Sequence, residues 1–332
     1  MDNTTEQGTT AATTQVSRLD FDIEWPPKHA AAYLVDGAAP LLVDCGDPQE
    51  RAETTIQDGL AETGNALEDV AAVVVTHPHS DHIGQVPLLR DAGATVYAPQ
   101  PVLEQLERDE EDLAEGVRDV GRSAGYRGEA IEREVERAQS SLRRNRRLLA
   151  PDDAVAFEFG EPFSVAGLEF EAVHTPGHQI HHAGLLTELD GERVLFSGDA
   201  LIESFRPGAI HVGIDYGAYD AVDAFHRSMD RLEGRRVDRV YPGHGPVFTG
   251  YDGAIESTRS ALEALTGETF EAVTGIGPAT PMEITRYRSG EVRYPAQLLD
   301  TLGALGTLEG RGRIQSTERD GVRYYSVMKA SP

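Results

Sequence analysis

Apolar positions along the chain change period several times, and each change marks an element. Ala31-Ala32-Tyr33-Leu34-Val35 and Pro40-Leu41-Leu42-Val43-Asp44 are short apolar runs on either side of Asp36-Gly37, the pattern of a hairpin. Gly46-Asp47-Pro48 breaks the second run, and residues 49–63 read as a helix ending at Gly64. Val70 to Thr76 is continuously apolar, the mark of a strand buried on both faces. A short helix at 85–91 and a strand at 95–97 follow, so the body alternates strands and helices in layers. Short strands resume at 154–159, 163–165, 168–173, 183–189 and 193–197, separated by Gly160, Gly167 and Asp190-Gly191. A helix at 220–232 and a strand at 239–241 complete two β-rich halves with helices outside.

Three segments depart from this alternation. Residues 1–18 are polar, with almost no apolar positions, and are expected to be a disordered tail. Residues 101–149 carry Leu103, Leu106, Leu113, Val117, Val120, Ile131, Val135 and Leu142 at helical spacing, with breaks near Gly125 and Gly128. They form a helical insertion that is either a solvated packing element or a lid or wall over a pocket. After residue 250, helices at 252–266, 281–288 and 294–305 precede strands at 310–315 and 322–327. Three helices and a hairpin are the layout of a winged-helix module. The expected division is a catalytic domain over 19–250 and a winged-helix-like domain over 251–332.

The 332 residues are 39% hydrophobic and 26% charged, enough for one large core or two domains. No run approaches the ~20 apolar residues of a membrane helix, and no secretory signal pattern opens the chain. A cytoplasmic protein without membrane contact is expected. The single cysteine, Cys45, excludes an intrachain disulfide framework and an all-thiolate metal site. The formal charge is −26, and Lys28 and Lys329 are the only lysines. An acidic, lysine-poor chain resembles proteins of salt-accumulating archaea, where the short Debye length removes self-repulsion. Such a field disfavours nucleic acid. From residue 280 onward, however, basic residues outnumber acidic ones. That leaves nucleic-acid contact, dimerisation or plain packing as roles for the last segment.

The chemistry is concentrated in four strings. Thr76-His77-Pro78-His79-Ser80-Asp81-His82 follows the buried strand directly. Thr175-Pro176-Gly177-His178, Ser197-Gly198-Asp199 and Tyr241-Pro242-Gly243-His244-Gly245 each follow a later strand. Strand C-termini are where layered α/β proteins build sites, and loops on a rigid scaffold present the ligands. Imidazole with carboxylate suits Zn²⁺ and similar divalent ions.

This ordered set, H-P-H-S-D-H, T-P-G-H, S-G-D and P-G-H-G, resembles the metallo-β-lactamase-fold hydrolases over about residues 30–250. The resemblance implies an αββα sandwich with a dinuclear centre, most simply of zinc, with iron or manganese as alternatives. One metal would be held by His77, His79 and His178, and the other by Asp81, His82 and His244. Asp199 would bridge them, and a hydroxide between the metals would be the nucleophile, oriented by Asp81. Asp199 stands where the zinc β-lactamases have cysteine, which points to the glyoxalase-II-like and nuclease branches. Asp44, in Leu42-Val43-Asp44-Cys45-Gly46, and His182 would support ligands. His181, Arg206, His211, Tyr216 and Tyr219 are candidate substrate contacts. Glyoxalase II ends in a glutathione-binding helical domain, whereas this chain ends in the winged-helix-like segment.

The expected activity is hydrolysis of a small thioester, ester or lactone. An RNA endonuclease and a non-catalytic interaction protein are the rivals. A closed apolar pocket roofed by residues 101–149 would favour the small-molecule enzyme, and a basic channel toward residues 286–323 the nuclease.

Overall fold

The structure, a computed structural model, describes residues 15–37 and 39–328. Its first sheet runs in the order β1 (Gln15–Asp22), β2 (His29–Asp36), β3 (Leu41–Val43), β4 (Ala72–Val74), β5 (Thr95–Pro99) and β6 (Ala154–Phe157). The pairs β1–β2 and β2–β3 are antiparallel, and the pairs from β3 to β6 are parallel. The second sheet holds β7 (Pro162–Val165), β8 (Leu168–His174), β9 (Ala183–Leu189), β10 (Glu192–Gly198) and β11 (Arg239–Pro242), in the order β11-β10-β9-β8-β7.

The period-two pattern of each strand explains the layering. Tyr33 and Val35 of β2, Leu41 and Val43 of β3, and Val74 of β4 meet Phe170, Leu185 and Phe196 of the second sheet in an inter-sheet core. Their neighbours Leu34, Leu42 and Val73 turn the other way. They pack with α1 (Glu50–Glu62), α3 (Val86–Asp91) and α4 (Gln100–Leu106). The one-turn helix α2 (Ser80–Ile83) precedes α3. On the far side, Leu186, Leu195 and Val240 pack against Phe225 and Met229 of α7 (Ala221–Leu232) and Ile255 and Leu262 of α8 (Tyr251–Ile276). The architecture is helix, sheet, sheet, helix.

The insertion is helical, as its spacing predicts: α4, then α5 (Glu110–Ala124) and α6 (Glu129–Leu148). Asp109 caps α5, accepting from the amides of Glu111 and Asp112. Gly125 ends it in the left-handed region, at φ 103°. Val117 and Val120 of α5 pack with Leu298 and Leu302 of α10 (Pro295–Gly310) and Met282 of α9 (Pro281–Ser289). The insertion is thus wedged between the body and the C-terminal helices. A hairpin of β12 (Ile314–Arg319) and β13 (Val322–Val327) ends the described chain.

Two expectations are corrected here. Gln15 to Arg18, expected in the tail, belong to β1, where Gln15 pairs with Asp36 and Arg18 with Tyr33. The alternation that buries Leu19 and Phe21 starts inside the polar stretch, and a partner strand satisfies the backbone there. Residues 1–14 lie outside the described residues. The last helix, expected to stop at Gly306 after residues 294–305, runs on to Gly310, and Gly306 packs too closely on the Tyr219 backbone to hold a Cβ. Glycine there serves close packing rather than a helix stop.

Candidate metal centre

All four strings meet at one end of the sandwich. The loop after β4 carries His77 and His79 and leads into α2 with Asp81 and His82. His178 follows β8, Asp199 follows β10 and His244 follows β11. Nδ1 of His79 lies 3.1 Å from Nε2 of His77 and 3.0 Å from Nε2 of His178. Oδ2 of Asp199 lies 3.2 Å from Nε2 of His178 and 3.1 Å from Nε2 of His244. Oδ2 of Asp81 is 3.7 Å from Nε2 of His244 and 3.9 Å from Nε2 of His82. Three groups have their donor atoms within 4.8 Å of one another: His77–His79–His178–Asp199, Asp81–His82–His244 and Asp44–His77–His82.

The hydrogen bonds behind the centre select the ring nitrogen each histidine offers. Oδ2 of Asp44 lies 2.8 Å from Nδ1 of His82 and accepts its proton. Gly208 O and His29 O likewise accept Nδ1–H of His178 and His244, at 3.0 and 2.5 Å. Thr76 donates its hydroxyl to Asp44, leaving its oxygen to accept Nδ1–H of His77 at 3.0 Å. Four Nε2 lone pairs are therefore turned inward. His79 is reversed: Nδ1 faces the centre and Nε2 meets the Gln179 side-chain amide at 2.6 Å. Asp44 also takes the Thr76 amide on Oδ1, so both its oxygens are used in support. His182 accepts the Asp199 amide on Nε2 at 3.0 Å and touches Thr175 through Nδ1. That bond requires a neutral ring, as does its complete burial, the first cause holding its pKa well below the usual value.

Electrostatics mark the middle as a place for positive charge. Burial opposes protonation of His82, yet Asp199, Asp44 and Asp81 together push it up to about 10. Burial alone would raise the Asp199 carboxyl, but His244, His82 and His178 hold it well below the usual carboxylate range. Nε2 of His82 and Oδ1 of Asp199 are buried with no hydrogen-bond partner. Unpartnered buried polar atoms of this kind, ringed by imidazoles and carboxylates, fit divalent cations, which would take the place of the proton on His82.

Glycines keep the loops this close. A Cβ at Gly198, already at φ +46°, would lie 2.6 Å from Nε2 of His182. One at Gly243 would run into Oδ1 of Asp199 and lie 2.7 Å from Cε1 of His82. The Gly in S-G-D and P-G-H-G is there for room.

A cavity of about 380 Å³ opens beside His79. Leu106, Leu113, Val117 and Leu142 of the insertion, Ile210, Val212 and Ile214 of a loop, and Leu299 of α10 wall it. The insertion both packs on the C-terminal helices and supplies part of this cavity's wall. Asn145 of α6 donates to Pro78 O at 2.7 Å, tying that wall to the histidine loop.

The candidate substrate contacts fare differently. Arg206 is paired with Asp300 at 2.8 Å and is no free cation. Tyr216 is largely exposed and bonds Asp119, away from the cavity. Tyr219 lies under the Arg323 guanidinium and beside Ser123, in the packing of the C-terminal segment. In this structure all three side chains have protein partners, and a local string does not reveal that a distant helix engages the side chain. His211 is buried, and its amide donates to His178 O at 2.8 Å, so it shapes the ligand loop. His181 is half-buried and, like His211, is not among the cavity residues. Reading the strings missed His29, Thr76, Gln179 and Asn145. Thr76, adjacent to His77, and Gln179, adjacent to His178, carried a local signal.

The family model described as "Metallo-beta-lactamase superfamily" matches residues 25–244. The chain belongs to this superfamily. A metallo-beta-lactamase family protein from Thermus thermophilus aligns over 94% of this chain and 98% of its own, with TM-score 0.78 and 24% identity. A beta-lactamase domain protein from Burkholderia ambifaria aligns over 97% and 98%, with TM-score 0.72 and 20% identity. Both show the fold, insertion and C-terminal segment included. Among curated relatives, a probable metallo-hydrolase of Bacillus subtilis is 25% identical over 90% of this chain and 93% of its own. A fungal protein named atrochrysone carboxyl ACP thioesterase, from Aspergillus chevalieri, is 24% identical over 78% and 68%. Fold and donor clusters together make this metallo-beta-lactamase-fold protein a metal-dependent hydrolase. Among its described residues no helix is long and apolar enough to cross a membrane.

Proposed function

We propose that the protein hydrolyses a small thioester, ester or lactone with two divalent metal ions, zinc in the first instance. His77, His79 and His178 would hold one ion, Asp81, His82 and His244 the other, with Asp199 between them. The ions would supply Lewis acidity, lowering the pKa of water and polarising the scissile carbonyl. The chain's own residues do the positioning. Asp44 and Thr76 fix ring tautomers, His182 holds the Asp199 loop, and the apolar wall of the insertion limits water around the acyl group.

The observation that carries this reading is the cavity: about 380 Å³, adjoining His79, with aliphatic side chains such as Leu106, Val117, Ile214 and Leu299 set among polar and charged ones. That volume suits a small acyl compound rather than a polymer. The thioesterase named among the relatives supports the same class. A phosphodiesterase on RNA has less support, because several of the C-terminal arginines are paired with carboxylates. Arg311 pairs with Glu263, Arg323 with Glu309 and Arg293 with Glu291. Within this proposal the C-terminal segment is a winged-helix-like unit used for packing, and the acidic surface is an adaptation to molar salt in the cytoplasm.

Metal analysis combined with a panel of a thioester, a lactone, a bis-aryl phosphodiester and short RNA, all at high salt, tests the proposal. Two bound ions with thioester or lactone turnover are expected. Turnover of RNA alone would replace the reading by the nuclease one.

A further inference from the structure

We propose that Arg144 binds an oxyanion on the substrate, remote from the bond that is cut, so that the enzyme selects an acyl group that itself carries a negative charge. The inference rests on the acyl-hydrolase reading above and adds the substrate's charge to it.

Three arginines line the cavity. Arg108 is paired with Asp215, and Arg137 with Glu134 at 2.8 Å. Neighbours on α6 are paired too: Arg143 with Glu110 and Glu136, and Arg146 with Glu110. Among the described residues Arg144 has no carboxylate partner. Its one hydrogen bond is from Nε to Oδ1 of Asn145, at 3.1 Å, which leaves both terminal nitrogens free. Of the three arginines on the cavity wall, Arg144 is the one without a carboxylate partner.

Its setting is not that of a solvated surface arginine. Arg144 is half-buried, whereas Arg147, one turn on, is exposed. Burial disfavours its charge, and Asp81 of the metal centre offsets part of that cost. Asn145, which orients the Nε side, is anchored to Pro78 O between His77 and His79. Arg144 lines the cavity that His79 also lines, with its Nε side held by Asn145 and its two terminal nitrogens without a hydrogen bond. A planar fork of this kind matches a carboxylate or phosphate bidentately. An acyl chain held with its carbonyl at the centre would place a terminal oxyanion against it.

The test is calorimetry on metal-loaded protein at high salt with pentanoate, glutarate and 4-phosphonobutyrate. Glutarate or the phosphonate should bind about tenfold tighter than pentanoate, the scale of one charge-assisted hydrogen bond. The preference should fall to near one in Arg144→Gln and survive in part in Arg144→Lys. The tighter of the two dianions names carboxylate or phosphate as the group recognised. Equal binding of all three by the unaltered protein overturns the inference, with no variant needed. A preference left intact by Arg144→Gln also overturns it. A parallel assay compares glutaryl and pentanoyl thioesters. Dianion preference without any turnover would keep Arg144 and reject the acyl-hydrolase reading. Turnover of both thioesters with no preference would do the reverse.

Discussion

Asp44 accepts Nδ1–H of His82 at 2.8 Å, and that one bond decides that His82 offers Nε2 to the space between Asp81 and Asp199. The same carboxylate receives the Thr76 hydroxyl and, through it, orients His77. One residue at a strand end thus sets a ring in each donor cluster. Asp44 sits at φ 57°, a left-handed conformation that aspartate tolerates better than most residues.

Replacing Asp44→Asn keeps the shape but lets the amide donate, which permits the wrong His82 tautomer. Metal affinity should fall about 10- to 100-fold, the usual cost of losing such a partner. Competition with a chromophoric chelator measures it. Unchanged affinity would remove Asp44 from the support of the centre.

Asp199 stands between the clusters, so Asp199→Ala should release at least one metal and abolish turnover while leaving the fold. Its circular dichroism spectrum should match that of the parent. His244→Ala should weaken one ion selectively, leaving a metal content nearer one per chain. Gly243→Ala should resemble Asp199→Ala in metal content, because its Cβ would displace the Asp199 carboxylate. Full retention of both ions in Asp199→Ala would end the bridging assignment.

The layered body and the four strings were legible because their signals are local. Continuous apolar runs such as Val70–Thr76 and Gly-flanked ligands sit within a few residues of one another. What escaped depends on contacts across the chain. His29 stabilises His244 by accepting through its backbone oxygen, and its ring accepts the Gly245 amide. Nothing in the residues around His29 anticipates that. Arg144 is one of several arginines in a charged helix until the partners of the others are known. β1 was hidden for a similar reason: its alternation is shallow, and pairing with β2 completes it.

Acid should destabilise the metal-free protein through His181 and His211. Burial, then Arg227, His181 and His174, hold His211 down to about 4. Burial, then His174, do the same for His181, with Glu104 opposing. A free imidazole titrates near 6.5. Between these values the unfolded chain binds protons that the folded chain does not. The stability is fully present above about pH 6.5 and is lost as pH falls toward 4. Urea midpoints in chelator at high salt should therefore drop across that window. His211→Asn, which suits the residue's φ of 54°, should flatten the drop. An identical pH slope in the variant would exclude His211 as a contributor.

Arg206 belongs to the scaffold, and its removal should read as a stability defect with a secondary effect on the metal. Its guanidinium pairs with Asp300 of α10 at 2.8 Å, and both side chains are largely buried. The other Asp300 oxygen accepts the Ala209 amide at 2.8 Å, next to Gly208, whose carbonyl orients His178. Arg206→Met leaves Asp300 buried beside a thioether and should cost about 2 kcal/mol or more. The Gly208 carbonyl would then be held less firmly, so the ion bound through His178 should weaken modestly. A substrate-binding arginine would behave oppositely, raising KM at unchanged stability. The double replacement Arg206→Met with Asp300→Leu discriminates further, since removing both charges should recover part of the lost stability. Recovery that leaves metal affinity low would place the remaining effect on the Ala209 amide, which loses its Asp300 acceptor only in the double variant.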